Sequence, residues 1–151
     1  MKLSKRGEYG LKAMLHLADA YHAARMVPIR DISQAEQIPL KYLEQILLSL
    51  KNVGLLQSKV GISGGYYLAR PPAEITLGQI TRVLDGPLAP IRCVSQTAYE
   101  PCNCPDEETC GLRLVMLDVR NAIAAIIDHT TLQDVLDRKE QAEAASPPFK
   151  E

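Results

Sequence analysis

Residues 29–70 read IRDISQAEQIPLKYLEQILLSLKNVGLLQSKVGISGGYYLAR, and the fold follows from how this stretch divides. Ile29, Ile32, Ala35 and Glu36 recur at helical spacing, then Gln37-Ile38-Pro39 breaks the pattern. Pro39 suits the first turn of a new helix, where its missing N–H costs nothing and its φ is already set. Leu40, Leu43, Ile46, Leu47 and Leu50 then repeat at i, i+3, i+4, which marks one stripe as core. The outer face carries Lys41, Glu44 and Gln45, with Tyr42 and Ser49 beside it. Two short helices joined by a tight break, the second with a hydrogen-bonding outer face, make a helix-turn-helix.

The next residues separate a DNA reader from an ordinary helical hairpin. Gly54 ends the second helix at a position that tolerates positive φ. Leu55 to Val60 reads as a strand, Gly61 to Gly65 as a turn, Tyr66 to Ala69 as the return strand, and Pro71-Pro72 closes the unit. A β-hairpin directly after a recognition helix is a wing, able to touch phosphates or the minor groove while the helix lies in the major groove.

Working outward, Met1 to roughly Tyr21 is expected to be an N-terminal helix with Ser4 as N-cap and a stripe of Leu11, Met14, Leu15, Ala18 and Tyr21. His16 and His22 on it are read as surface or satisfied residues, not ligands. Thr76 caps a helix through Leu77, Ile80, Val83 and Leu84 that stops at Gly86-Pro87. From Gly111 a wide stripe follows: Leu112, Val115, Met116, Val119, Ala122, Ile123, Ile126 and Ile127. After a complete winged unit this helix has little of its own chain to cover, so a second chain is expected on it. Thr130 or Thr131 caps a last short helix through Leu136.

These segments give a mainly α chain with a small β-hairpin wing: a winged helix-turn-helix domain plus a long C-terminal dimerisation helix. The expected divisions are a DNA-binding domain over 1–85 and a cysteine-rich sensor loop over 86–111. The dimerisation helix and short C-terminal helix take 112–138. Residues 139–151 are rich in Ala, Glu, Ser and Pro without apolar periodicity and are expected to be a disordered tail.

At 151 residues the chain can bury a real core. No apolar run approaches the roughly 20 residues of a membrane span. The charged, amphipathic start lacks the apolar region of a signal peptide, so no membrane is expected and the cytoplasm is the expected compartment. The net charge of −1 excludes nothing, but its distribution is uneven. Up to Arg70 the basic residues Lys2, Lys5, Arg6, Lys12, Arg25, Arg30, Lys41, Lys51, Lys59 and Arg70 outnumber Glu8, Asp19, Asp31, Glu36 and Glu44. A basic half carrying the helix-turn-helix suits a DNA-facing module joined to an acidic remainder.

The four cysteines are spaced Cys93-x8-Cys102-x-Cys104-x5-Cys110. This lacks the paired C-x2-C knuckles of a zinc ribbon and the C-x-x-C of a thioredoxin-like site. Thiolates gathered on a loop in a reducing compartment suit an iron–sulfur cluster. Zinc, reversible disulfides and inert thiols remain open on spacing alone. No nucleophile–base pair, phosphate-binding glycine loop or paired acid suggests an enzyme. A small iron–sulfur electron carrier would leave the winged region without a purpose.

The stretch KYLEQILLSLKNVGLLQSKVGISGGYYLAR, the opening MKLSKRGEYGLKAMLHLA and the cysteine segment occur in the order found in the IscR-like family of bacterial winged-helix transcriptional regulators. The resemblance runs from Met1 to about Leu136. It implies a homodimer on a pseudo-palindromic double-stranded operator, with a 2Fe–2S cluster as cofactor that aerobic purification can strip. It implies phosphate contacts from Ser4 and Lys5, although a solvated helix start is the plain alternative. Ser33, Lys41 and Tyr42 join these as candidate DNA contacts. Glu44 falls where the family discriminates operator classes, and Glu44 and Gln45 have the chemistry for base edges. In the wing, Val60 stands where the family often has arginine, with Lys59 one residue earlier, so contact is expected through Lys59 and the amides of Gly64 and Gly65. Cys93, Cys104 and Cys110 match the family's three ligand cysteines. Arg113 stands where cluster-binding members carry a histidine, and guanidinium cannot ligate. The fourth ligand is then Cys102, or Glu8 donated by a partner subunit, with Asp106, Glu107 and Glu108 as further acidic options. A regulator of the same fold without a cluster, controlled by thiol redox, zinc, a metabolite or a protein partner, is the alternative.

Overall fold

The structure is a computed structural model that describes residues 2–146. Six α-helices and one hairpin follow in order: α1 Lys5–Tyr21, α2 Ile29–Glu36, α3 Leu40–Asn52, β1 Leu56–Lys59, β2 Gly65–Leu68, α4 Leu77–Asp85, α5 Gly111–Ile127 and α6 Leu132–Ala145. Single 3-10 turns occupy Pro72–Glu74 and Arg92–Val94. The winged helix-turn-helix expected from the sequence is therefore present, with the long helix after it.

Local chemistry explains the breaks. The α2–α3 turn passes through Gln37 at φ 54°, and Ile38 donates its N–H to the Ser33 carbonyl at 3.0 Å. Pro39, at φ −55°, leads into α3. Gly54 takes φ +78° after α3, a left-handed conformation that favours glycine. β1 and β2 pair antiparallel with Leu56 opposite Leu68 and Lys59 opposite Gly65. Val27 adds a bridge to Tyr66, its N–H donating to the Tyr66 carbonyl at 2.9 Å.

The core is the meeting of the predicted stripes. Met14, Leu17, Ile32, Leu43, Ile46, Leu47, Leu50, Leu56 and Ile80 are buried together. α1 and α4 approach closely at Gly10, where an added Cβ would lie 2.0 Å from Leu84 Cδ1. Thr76 closes a full capping box on α4: its hydroxyl accepts from Gln79 N–H while the Gln79 side chain accepts from Thr76 N–H.

Two features at the C-terminal end differ from the sequence expectation. α6 runs to Ala145, so residues 139–145 of the expected tail are helical, while residues 147–151 lie outside the described region. The physical reason is propensity: Lys, Glu, Gln and Ala are strong helix formers, and a capping box from Thr131 to Asp134 starts the helix. No buried face is needed, which is why a search for apolar periodicity stops early. The second difference is where α6 packs. Leu132 is fully buried and Leu136 nearly so, both in the common core, where α6 packs against α1 and the Pro72–Glu74 turn. Leu132 N–H donates to the Ile75 carbonyl at 2.9 Å, and Leu77 N–H to the Thr130 carbonyl at 2.9 Å. The start of α6 is thus part of the winged unit, and the boundary at residue 85 does not enclose that unit's core.

α5 behaves differently. None of its residues is buried, and Leu112, Leu114, Val115 and Ile126 are exposed. Its end helps wall a groove of about 1050 Å³, with Ile123 and Ile127 on one side and the start of α1, Leu84 and the 87–90 turn on the other.

Candidate functional site

The outer face of α3 carries Lys41, Glu44 and Gln45 into solvent, because Leu43, Ile46, Leu47 and Leu50 bury the opposite side. These three side chains form one exposed polar strip. Tyr42 sits at its edge, half-buried, with its ring edge-to-face on Tyr9 at 5.8 Å between centroids. Arg6 reaches across from α1 and donates to the Ser49 hydroxyl at 2.6 Å, which fixes α3 against the first helix.

Several expected contact residues already have protein partners. Ser4 caps α1 by accepting from Gly7 N–H at 3.0 Å, and its own N–H and hydroxyl both donate to Asp85 at the end of α4. Ser33 donates its hydroxyl to the Ile38 carbonyl at 2.6 Å, holding the helix-turn-helix turn. Both serines therefore have a structural explanation. Lys5 remains exposed, 3.2 Å from Glu8 and 5.6 Å above the Tyr9 ring. In the wing, Lys59, Val60 and Ile62 are exposed at the tip. Gly64 donates its amide to the Gly61 carbonyl at 3.1 Å, so that amide is engaged within the turn. Gly65 lies where a Cβ would come within 2.6 Å of the Val27 carbonyl, which explains glycine there by close backbone approach.

The three histidines have protein partners. His16 Nδ1 lies 3.0 Å from Glu36, His22 Nε2 lies 2.8 Å from the Gln133 amide oxygen, and His129 Nδ1 lies 3.0 Å from the Ala125 carbonyl.

The cysteine loop gathers its thiols at the start of α5. Cys110 is the N-cap residue of that helix. Cys104 meets both Cys102 and Cys110, and its thiol is pushed up to about 12, first by the hydrogen bond to Cys102 and then by desolvation. Cys93, held buried by the 3-10 turn, shares a second cluster with Cys102 and Glu107, whose ligand atoms all lie within 4.8 Å of one another. Cys102 is common to both groups. All four cysteines carry free thiols. Glu8 is placed elsewhere, paired with Lys5 at 3.2 Å and Lys12 at 3.3 Å, and these lysines hold its carboxyl below the usual range.

The three acidic residues of the loop are sorted by their hydrogen bonds. Asp106 accepts from Glu108 N–H at 3.0 Å and from the Thr109 hydroxyl at 2.7 Å, so it closes a turn. Glu108 is exposed. Glu107 turns inward: Oε2 accepts from the Tyr99 hydroxyl at 2.5 Å, and Oε1 is buried without a hydrogen-bond partner. Arg113 does not replace a histidine ligand but organises its surroundings. Its Nε donates to the Cys93 carbonyl at 3.3 Å and lies 3.6 Å from Glu107 Oε1, an ion pair too long for a hydrogen bond. Tyr99 is not legible in the sequence as part of this site, and Arg113 only as a position that cannot ligate, because their roles depend on the path of the loop.

A soft-metal centre fits this donor set: the thiols of Cys93 and Cys102 meet a carboxylate oxygen of Glu107, with Cys104 beside Cys102 and Cys110, while Cys93, Cys104 and Cys110 are not drawn into one group of three among the described residues.

The fold places the chain in the class of winged helix-turn-helix proteins. Residues 3–138 match the Rrf2 family, described as "Iron-dependent Transcriptional regulator", and the chain belongs to that family of regulators. Its relatives are transcriptional regulators, not enzymes. It is 36% identical over 135 residues to the HTH-type transcriptional regulator CymR of Bacillus subtilis, covering 89% of each chain. The solved structure of that protein, the global cysteine regulator of B. subtilis, superposes with a TM-score of 0.76 at 33% identity, covering 91% of this chain and 98% of the other. IscR of T. potens gives a TM-score of 0.76 at 30% identity, covering 97% and 94%. An oxidised form of Staphylococcus aureus CymR gives 0.69 at 29% identity, covering 89% and 95%. No helix of the described residues is long and apolar enough to cross a membrane.

Proposed function

We propose that the chain acts in the cytoplasm as a homodimeric regulator of a pseudo-palindromic operator, whose affinity for DNA is set by a 2Fe–2S cluster on the cysteine loop. The observation that carries this reading is the convergence of the thiols at the N-terminus of α5, a helix with no buried residue in the single chain. The family's description as iron-dependent points the same way. Cys93, Cys104 and Cys110 would hold the cluster, with Cys102 or a partner-donated Glu8 as the fourth ligand. Such a group supplies iron that responds to oxidants and nitric oxide.

The rest is done by the chain's own residues. Lys41, Glu44 and Gln45 on α3 face the major groove, with Glu44 and Gln45 reading base edges. Lys5 and Lys59 face phosphates. Cys110 caps α5, so a change in the loop moves the start of that helix. The far end of α5 is tied to α4 by Asp128 and Arg82. A second copy laid along α5 and into the groove beside Ile123 and Ile127 would cover the exposed stripe and set the spacing of two recognition helices.

The test is anaerobic purification followed by a visible spectrum, iron and sulfide assay, and operator-library binding before and after oxidation. A brown protein whose operator affinity changes on bleaching supports the reading. A colourless, iron-free protein with unchanged DNA binding removes the cluster and leaves the regulator.

A second reading has its own observation. Cys104 lies beside both Cys102 and Cys110, all three as free thiols, and a fold relative has been solved in an oxidised form. Reversible disulfide formation among them would also reach α5 through Cys110. Mass spectrometry after mild oxidation of the iron-free protein, alongside operator binding, separates the two.

A further inference from the structure

The geometry points to Glu107 as a metal ligand: we propose that its Oε1, with the sulfurs of Cys93 and Cys102, forms a two-thiolate, one-carboxylate face for iron or another thiophilic divalent cation. The proposal rests on the reading of the loop as a metal centre and supplies an oxygen ligand that the cysteine spacing does not suggest.

Three features of the site support it. The first is the orphaned oxygen. A buried carboxylate oxygen without a donor is costly, and in native structures such an atom calls for an ion or another partner. Glu107 Oε1 is in that position, while Oε2 is satisfied by Tyr99. The hydrogen bond from Tyr99 occupies Oε2, and Oε1 is the oxygen left without one among the described residues.

The second is convergence. A carboxylate oxygen of Glu107 and the two sulfurs lie within 4.8 Å of one another. Bonds of about 2.3 Å to sulfur and about 2.0 Å to oxygen place donors slightly closer than this around a tetrahedral ion, and side-chain rotation closes the remainder. Two thiolates select a soft or borderline cation over magnesium or calcium.

The third is charge. Once Cys93 and Cys102 are deprotonated, three anionic groups share a partly buried space, and Arg113 is the cation beside them. Its Nε hydrogen is directed to the Cys93 carbonyl, so it balances charge without occupying Oε1. Arg113 thus serves as a positioning residue. It holds Cys93 and Glu107 on two sides of one point. Asp106 and Glu108 do not compete, because one closes a turn and the other is exposed.

The test uses full-length, reduced, metal-free protein titrated with Co²⁺ without oxygen. Wild type is expected to show thiolate-to-cobalt charge transfer and the d–d bands of a tetrahedral site. Glu107→Gln, nearly the same in shape, should weaken Co²⁺ binding by at least about tenfold, the loss found even for outer partners of metal ligands, and shift the d–d bands. Tyr99→Phe should weaken it less and leave the charge-transfer intensity unchanged. Glu108→Gln should match wild type. Should Glu107→Gln not fold, Tyr99→Phe decides, since unchanged affinity and unchanged d–d bands there overturn the proposal. Wild-type spectra and affinity in Glu107→Gln, or no thiolate-to-cobalt band in wild type, overturn it as well. Cluster reconstitution of the same variants keeps the two readings apart. Normal iron, sulfide and spectrum in Glu107→Gln, together with wild-type Co²⁺ binding, leaves the cluster regulator standing and removes Glu107. A cobalt site lost in Glu107→Gln, in a protein that takes up no cluster, retains Glu107 and removes the cluster.

Discussion

Arg82 on α4 grips the carboxylate of Asp128 at the C-cap of α5 with both terminal nitrogens, Nη2 donating to Oδ2 at 2.8 Å. Gly78 makes the contact possible, because a Cβ there would lie 2.0 Å from Asp128 Oδ1. This pair ties the long helix to the winged unit at the end opposite the cysteines. Asp128→Asn should cost about 0.2–1 kcal/mol, the range for a solvent-accessible pair. It should also blunt any effect of the loop on operator binding more than it lowers stability. Urea denaturation and operator titration of the same variant check this. A variant with wild-type coupling to the loop would place the connection elsewhere.

The pair also has a pH signature. Arg82 holds the Asp128 carboxyl below its ordinary value of 3.8. A depressed acid contributes its stability fully above that ordinary value and loses it as pH falls through the depressed one. The stability difference between wild type and Asp128→Asn should therefore be constant from neutral pH down to about pH 4 and shrink below it. Denaturation series across that window measure it. A difference that instead vanished between pH 6 and 8 would assign the effect to another group.

The sequence made the winged unit legible because its signals are local. The α2–α3 break, the Gly54 stop and the wing each lie within a few residues of what determines them. Asp85 is invisible as the partner of Ser4, since 81 residues separate them. Ser4 and Ser33 carry the chemistry of phosphate contacts, yet the structure gives both hydroxyls structural partners. The inward turn of Glu107 depends on Tyr99 and on the Asp106 turn, which spacing alone does not encode. The full length of α6 is not legible because periodicity detects burial, and its second half is helical without being buried.

On α3, Glu44→Ala should change which operators are preferred, while Lys5→Ala should weaken all of them alike. The first should shift discrimination at one base position by about 1–3 kcal/mol. The second should reduce the salt slope of binding by about one. Binding to a randomised operator library at several salt concentrations distinguishes them. Unaltered base preference in Glu44→Ala would show that the reading face lies elsewhere on the helix.

Leu132 tests where the winged unit ends. It is fully buried in the core, on a helix that packs against α1 and the Pro72–Glu74 turn, and its N–H is bonded to the Ile75 carbonyl. Leu132→Ala should cost about 2–5 kcal/mol by loss of burial and the cavity left behind. Chemical denaturation gives the value directly. A loss below about 1 kcal/mol would mean the site collapses freely and α6 is an appendage after all.

The exposed stripe of α5 carries the last prediction. Ile126 is 64% exposed and Val115 56%, on a helix with no buried residue. In water such a stripe has the character of half an interface, and a stable dimer would bury about 1,200–2,000 Å² in total. Ile126→Glu or Val115→Glu leaves the fold of one chain intact, since neither side chain lies in its core, but places a charge in the proposed seam. Each should shift the protein from dimer to monomer by light scattering. Each should also weaken binding to a two-half-site operator far more than to a single half-site, because two recognition helices no longer act together. Dimers of wild-type stability in both variants would move the seam off α5, and the groove beside Ile123 and Ile127 would then lose its proposed occupant.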